Sequence, residues 1–247
     1  MAEASEKKTS TFGETIRTVV YAVLIALFVR TFLYEPFSIP SGSMIPTLLV
    51  GDYLFVSKYS YGYSRHSFPF SLNLFSGRIL EGVPERGDIA VFKKPSDGET
   101  DYIKRIVGLP GDSIQVRDGV IYINGEAVKR ELVGEYADPD GRRAPAKMYR
   151  ETLPNGVSYT VLDYGPSQYL DDTLVYMVPP GHYFGMGDNR DNSTDSRVLA
   201  EVGYIPAENL VGRAEFLFFS MSDLGAWWHL WRIPFDIRYD RLFMGLR

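Results

Sequence analysis

Cysteine is absent from the 247 residues, which removes disulfides, thiolate metal sites and a cysteine nucleophile from consideration. Histidine is nearly absent. His66, His182 and His229 are the three, and none stands near the serine and lysine segments singled out below. Positive charge is in deficit too: the formal net charge is -5, and no Lys/Arg-rich run offers a surface for nucleic acid. Internal repeats and low-complexity tracts are lacking. The one calcium-like stretch fails as an EF-hand, because reading from Asp191 puts Ser196 where the loop needs glycine and Val202 where it needs glutamate. No metal and no cofactor is expected.

What is present favours strands. Seventeen Tyr, 15 Phe, 23 Gly and 15 Pro, in a chain that is 45% hydrophobic, suit short β-segments joined by tight turns around a real core. Tyr53 to Lys58, Ile89 to Phe92, Tyr102 to Val107 and Val120 to Ile123 are β-branched or aromatic runs between Pro and Gly breaks. Asp118-Gly119 and Asn124-Gly125 bracket the last of them, which predicts successive hairpins. From about Ser113 to Pro180 the text is more polar, with a loop-like ADPDGRRAPA, and reads as an insertion. The fold class expected is all-β: a β-core over 35–112 and 181–225, interrupted by a smaller β-subdomain at 113–180 and followed by an aromatic tail at 226–247.

The amino terminus differs from the rest. Thr18 to Val29 is uncharged and mostly apolar, and with Ile16 before it and Thr31 to Phe37 after it the run is long enough to cross a bilayer, its interior broken by Arg30 and its ends carrying Arg17 and Glu35. A removable signal peptide has the same basic start (Lys7, Lys8, Arg17). Against removal, bulky Phe32, Leu33 and Tyr34 stand where a cleavage site needs small residues. The expectation is one membrane anchor at 16–34, a cytoplasmic tail at 1–15 and the remainder outside the cytoplasm, as positive-inside bookkeeping requires. The carboxy-terminal Trp227, Trp228 and Trp231 beside Arg232 read equally as an interfacial patch or as a cover for the β-core.

Chemistry concentrates in three places. In YEPFSIPSGSMIPTL, just past the anchor, Pro36, Pro40 and Pro46 stiffen the chain while Ser43 presents a hydroxyl beside Gly42. Taken alone the segment is also an ordinary Pro/Ser linker. In DYIKRIVGLPGD, period-two alternation puts Tyr102, Lys104 and Ile106 on one face and Ile103, Arg105 and Val107 on the other, so one of the two cations is expected to point inward. A solvated edge lysine is the commoner case. GDNRDNSTDSR is dense in turn formers and hydroxyls, and by itself reads as a surface cluster of Asx turns.

Together, SGSMxPTL after an apolar anchor, RGDIxVF, YIKRIVGLPGD and GDNRDNSxDSR in this order resemble bacterial type I signal peptidase, also called leader peptidase. The likeness covers about Thr31 to Asp112 and Gly181 to Ala214. It implies a serine endopeptidase with a Ser/Lys dyad that removes signal peptides from exported pre-proteins. Ser43 is implied as nucleophile, Lys104 as general base, Ser193 as a hydrogen-bond partner of the lysine, and Ser41 as an oxyanion donor beside the Ser43 N–H. Asp195 and Arg197 are implied as a supporting ion pair. Phe37, Ile39, Met44, Leu48, Val91, Tyr102 and Ile103 are implied to line shallow pockets for small side chains one and three positions before the cut. The expected partners are signal peptides and the lipid bilayer, in the inner membrane, with the protein acting as a monomer. Some family members carry two membrane spans, whereas this sequence shows one.

Physical chemistry points the same way. A serine hydroxyl needs a base, and a lysine serves only when neutral, which burial among apolar neighbours favours. A Ser-His-Asp triad through His182 is the alternative chemistry, though no nucleophile-elbow pattern accompanies it. A silent membrane-tethered binding module and a structural envelope protein are the alternatives outside enzymology.

Overall fold

Helix α1 (Thr11–Phe32) opens the computed structural model, which describes residues 11–68, 75, 77–138, 145–222 and 233–246. Its Phe12–Phe32 stretch has a mean hydropathy of 1.8 and is exposed along nearly its whole length, only Thr31 near its end being buried, so by length and composition it is able to cross a membrane. The helix starts earlier than the expected anchor and stops two residues sooner. The chain turns into a strand at Tyr34, which pairs with Ser57, and Pro36 bars any helical continuation, since it lacks an N–H and drives the residue before it out of the helical region. Expectations for residues 1–10, for most of ADPDGRRAPA, for His229 and for the tryptophan cluster lie outside the described residues.

The chain then runs through β1 (Tyr34–Ser38), β2 (Asp52–Ser57), β3 (Ile89–Lys93), β4 (Asp101–Gly108), β5 (Ser113–Arg117), β6 (Val120–Ile123) and β7 (Glu126–Ala127). It continues through β8 (Lys129–Tyr136), β9 (Ala146–Thr152), β10 (Ser158–Asp163), β11 (Tyr176–Met177), β12 (His182–Met186), β13 (Ile205–Pro206) and β14 (Leu210–Ser220). A seven-stranded sheet takes the order β1-β2-β14-β3-β4-β12-β13. Strands β5 to β11 stand apart in two smaller sheets, β11-β5-β6-β7 and β10-β9-β8. The protein is thus mostly β, as its composition predicts.

The hairpin turns form as their residues require. Arg117 pairs with Val120 and Ile123 with Glu126, leaving Asp118-Gly119 and Asn124-Gly125 as two-residue loops. All four have positive φ, between 47° and 84°, the conformation that Asn, Asp and Gly tolerate best.

The smaller sheets share their core with the large one. Ile114, Val116, Ile121 and Val161 pack in one cluster with Val107 of β4 and Phe184 of β12. The other face of β4 is covered as well: Ile106 packs with Tyr61, Phe92 and Val202. Full burial of a side chain such as Phe92 or Ile106 stabilises by about 1.5–3 kcal/mol, so β4 is among the most firmly held strands of the sheet. From Lys104 to Gly108, β4 is enclosed on both faces, and β3 and β12 pair with its edges, so Lys104 and Arg105 have no solvated side to turn to, whereas Asp101 at the start of the strand is exposed.

Candidate active site

Ser43 lies in a tight run of turns after β1, anchored by the Leu48 N–H donating to Met44 O at 2.9 Å. Met44 and Leu48 are both fully buried and pack with Leu54 and Val56. Two apolar anchors therefore hold the turn against the sheet while Ser43, 9% exposed, faces outward. Lys104 comes from the middle of β4, opposite Ala90 of β3, and is 3% exposed. Its Nζ donates to Ser43 Oγ at 2.8 Å and to Ile103 O at 3.0 Å, and lies 5.2 Å from the centre of the Tyr102 ring.

Burial lowers the pKa of Lys104 to about 8. The carboxylates of Asp195 and Asp188 work against that shift and Arg197 works with it. Removal of water dominates, so about a tenth of the amines are neutral at pH 7, against fewer than about one in a thousand for an ordinary lysine.

The loop after β12 closes the site from the other side. Asn189 N–H donates to Ser43 O at 3.1 Å, and Asn189 Nδ2 donates to Gly42 O at 2.8 Å. Arg197 Nε and Nη2 grip both oxygens of Asp195 at 2.9 and 2.8 Å, so the expected ion pair is formed, and Gly187 N–H donates to Asp195 Oδ2 at 3.0 Å. Burial would raise the Asp195 carboxyl, yet Arg197 outweighs it and holds the group below its ordinary range.

The other predicted residues divide. Phe37, Ile39, Ser41, Val91, Tyr102 and Ile103 border a cleft of about 400 Å³ with Ser43 and Lys104 on its wall. Ser41 Oγ is 3.5 Å from Ser43 Oγ. Met44 and Leu48 depart from the expectation: they do not border the cleft but stand behind it, in the same core cluster as Ile39 and Val91. Ser193 departs as well. Its Oγ is buried without a hydrogen-bond partner among the described residues, because Lys104 Nζ turns to Ser43 and Ile103 instead. It is still adjacent, for a Cβ on Gly187 would lie 2.2 Å from Ser193 Oγ and 2.5 Å from Ser43 O.

Several participants escaped sequence reasoning. Arg105, the other cation of the β4 segment, is also fully buried, and its Nε and Nη2 reach Asp188 at 2.9 and 2.7 Å. Burial would lower its pKa, but the carboxylate more than compensates and raises it. Asp188 also accepts from Thr47 Oγ1 at 2.5 Å, tying β4 to the serine turn. Thr100, Asp101, Asn192 and Thr194 complete the cleft. Asp188 and Asn189 sit inside a stretch that reads locally as turn chemistry, and partners over 80 positions away leave no local signal. Neither His66 nor His182 borders the cleft; His182 Nδ1 is 2.9 Å from Pro180 O.

Comparison with known proteins gives a consistent result. The family model described as signal peptidase, peptidase S26, matches residues 12–219. Signal peptidase I of Rickettsia typhi is 43% identical over 236 residues, covering 92% of this chain and 87% of the relative. Signal peptidase I of Rickettsia akari is 45% identical over 243 residues, covering 92% and 90%. A solved signal peptidase I from Enterococcus faecalis V583 is 28% identical, covering 53% of this chain and 95% of that one, with a TM-score of 0.31.

Proposed function

The chain belongs to the signal peptidase family, peptidase S26, and on that premise we propose that Ser43 and Lys104 are the nucleophile and base with which it removes signal peptides from exported pre-proteins. Membership makes it a serine endopeptidase. The observation that carries the assignment of roles is the 2.8 Å contact between Ser43 Oγ and a buried amine of lowered pKa, at the wall of a partly apolar cleft.

In this reading the neutral amine of Lys104 takes the Ser43 proton as Oγ bonds to the scissile carbonyl carbon, and the carbonyl π pair moves onto oxygen. The oxyanion so formed meets the Ser43 N–H and the Ser41 hydroxyl. As the C–N bond breaks, the Lys104 ammonium returns its proton to the leaving amine, which departs with the mature protein. A water, deprotonated by the same amine, then attacks the acyl ester, and as the bond to Ser43 Oγ breaks the Lys104 ammonium protonates that oxygen while the signal peptide leaves with a new carboxyl terminus. Ser193 would orient the lysine once it turns from Ser43, which its unpartnered hydroxyl leaves it able to do. Asp195 and Arg197 support that loop. The cleft selects small side chains one and three positions before the cut.

Helix α1 would anchor the protein, with residues 1–15 cytoplasmic and the catalytic part across the inner membrane. Its hydropathy and the basic residues Lys7, Lys8 and Arg17 support that orientation. Residues 35–112 and 181–225 would carry the catalytic core, 113–180 the insertion and 226–247 a tail, with the protein acting as a monomer. The test is to reconstitute wild type and Ser43→Ala with an exported precursor and map the cut. A single cut after a small residue, absent in a folded Ser43→Ala, is expected; retained cleavage in that variant removes Ser43 from the reaction.

A further inference from the structure

Two hydrogen bonds run from Asn189 to the chain around Ser43, and from them we infer that Asn189 sets the oxyanion donor by holding the Gly42–Ser43 peptide group with its N–H toward the cleft. The inference rests on Ser43 being the nucleophile. Nδ2 of Asn189 donates to Gly42 O at 2.8 Å, and that carbonyl belongs to the same peptide group as the Ser43 N–H. In a planar trans peptide the C=O and the N–H point in opposite directions. Asn189 has no exposed surface and grips the oxygen from the interior, so the N–H is turned the other way, and Gly42 and Ser43 both border the cleft. The Asn189 backbone N–H donates to Ser43 O at 3.1 Å, which fixes the next peptide group too. The Ile45 N–H adds a longer bond to Gly42 O, 3.3 Å, from within the turn.

The amide does more than fill space. Donation to a peptide carbonyl polarises the group and strengthens its N–H as a donor, the cooperativity expected of linked hydrogen bonds in a low-dielectric site. The Oδ1 of Asn189 is buried with no partner among the described residues, a cost that an apolar side chain of similar size would avoid. Exchanging Oδ1 and Nδ2 would set two acceptors 2.8 Å apart, so the orientation is dictated by Gly42 O. What the buried amide supplies in return is its donor. Asn189 is a positioning residue, acting through the serine's own backbone.

The experiment compares wild type with Asn189→Leu, which keeps the volume and removes the donor, and with Asn189→Ala. Three quantities are measured: kcat and KM on a precursor peptide, affinity for a peptide aldehyde ending at the cleavage site, and affinity for the same peptide ending in the corresponding primary alcohol. When the aldehyde binds, Ser43 Oγ bonds to its carbon, the serine proton leaves through Lys104, and the carbonyl oxygen becomes the oxyanion. The expected result is a kcat lowered about ten- to a hundredfold, less than outright loss of a donor, with aldehyde affinity lowered by the same factor. KM and alcohol affinity should stay within about twofold, because KM reports ground-state binding and the alcohol presents no carbonyl oxygen to the donor. Unchanged aldehyde affinity, equal weakening of both ligands, or loss of the fold in both variants would each overturn the inference, since each makes Asn189 a prop for the turn alone. Ser43→Ala run in parallel separates the two levels: turnover there removes the dyad itself, whereas an inactive Ser43→Ala beside unaffected Asn189 variants removes only the role of Asn189.

Discussion

Lys104 and Arg105 are neighbours in β4 and both are buried, yet the protein treats their charges in opposite ways. Arg105 keeps its charge between the two oxygens of Asp188, at 2.9 and 2.7 Å, with its guanidinium 4.2 Å from the Tyr159 ring centre. Lys104 hydrogen-bonds to the neutral Ser43 Oγ and Ile103 O, and its pKa falls to about 8. The chemistry of the side chains explains the division. A guanidinium does not give up its proton in a protein and must be paired when buried, whereas an amine relieves the cost by becoming neutral.

That relief has a consequence for stability. The folded pKa of Lys104, about 8, lies below its ordinary value of 10.5. Between those pH values the unfolded chain holds a proton that the folded one lacks, so unfolding becomes harder as pH rises through the window. Below pH 8 the burial cost is present in full. Relative to Lys104→Met, which removes the titration, wild type should gain up to about 3 kcal/mol between pH 7.5 and pH 10.5. Denaturant melts of both proteins across that range check this, and parallel curves would contradict it.

Asp188 should be costly to lose. Asp188→Leu leaves the Arg105 guanidinium buried without its carboxylate, and breaking such a pair typically costs about 3–5 kcal/mol. A second change, Arg105→Met, should recover most of that in a thermal melt. Failure of the double variant to improve on Asp188→Leu would show that the pair is not the source of the loss.

Gly187 should tolerate no side chain. The methyl of Gly187→Ala would fall 2.4 Å from Ser193 Cβ and 2.5 Å from Ser43 O, so either the serine turn or the Ser193 loop must move. A displacement of about 1 Å at the nucleophile suffices for roughly a hundredfold loss of rate. Assays of kcat/KM beside a melting curve test this; a variant with wild-type activity would show that the contact relaxes elsewhere.

Residue size before the cut should matter. Phe37, Ile39, Val91 and Ile103 border the cleft, so precursors with Phe or Lys in place of Ala one residue before the cut should lose at least about tenfold in kcat/KM. Competition between paired precursors measures it directly. Equal processing would mean that the cleft does not grade side-chain size.

Local patterns made much of this molecule legible. Strand β6, Val120–Ile123, and its two flanking turns follow from Asp-Gly and Asn-Gly, whose φ preferences act over two residues. Strand β4 follows from its β-branched alternation. The burial of both Lys104 and Arg105 was not legible, because alternation assigns a residue to a face without saying that both faces are covered, and the second cover comes from β5, β6 and β10. Met44 and Leu48 were read as pocket lining, but apolar residues beside a nucleophile serve equally well to anchor its turn from behind. The Arg105–Asp188 pair spans 83 positions and has no counterpart in local spacing.

The dyad itself is tested most directly by the pH dependence of kcat/KM for wild type, Lys104→Arg and Lys104→His on one signal-peptide substrate. With Lys104 as the base the reactive form would be its neutral amine, so the wild-type rate should climb with pH along a single limb centred near the lysine's pKa of about 8 and level off above it. Lys104→Arg, which preserves charge but cannot act as a base, should be inactive at every pH, and Lys104→His should be rescued weakly at best. Substantial turnover by Lys104→Arg, or a wild-type limb that survives in it, would show that a group other than Lys104 takes the proton of Ser43.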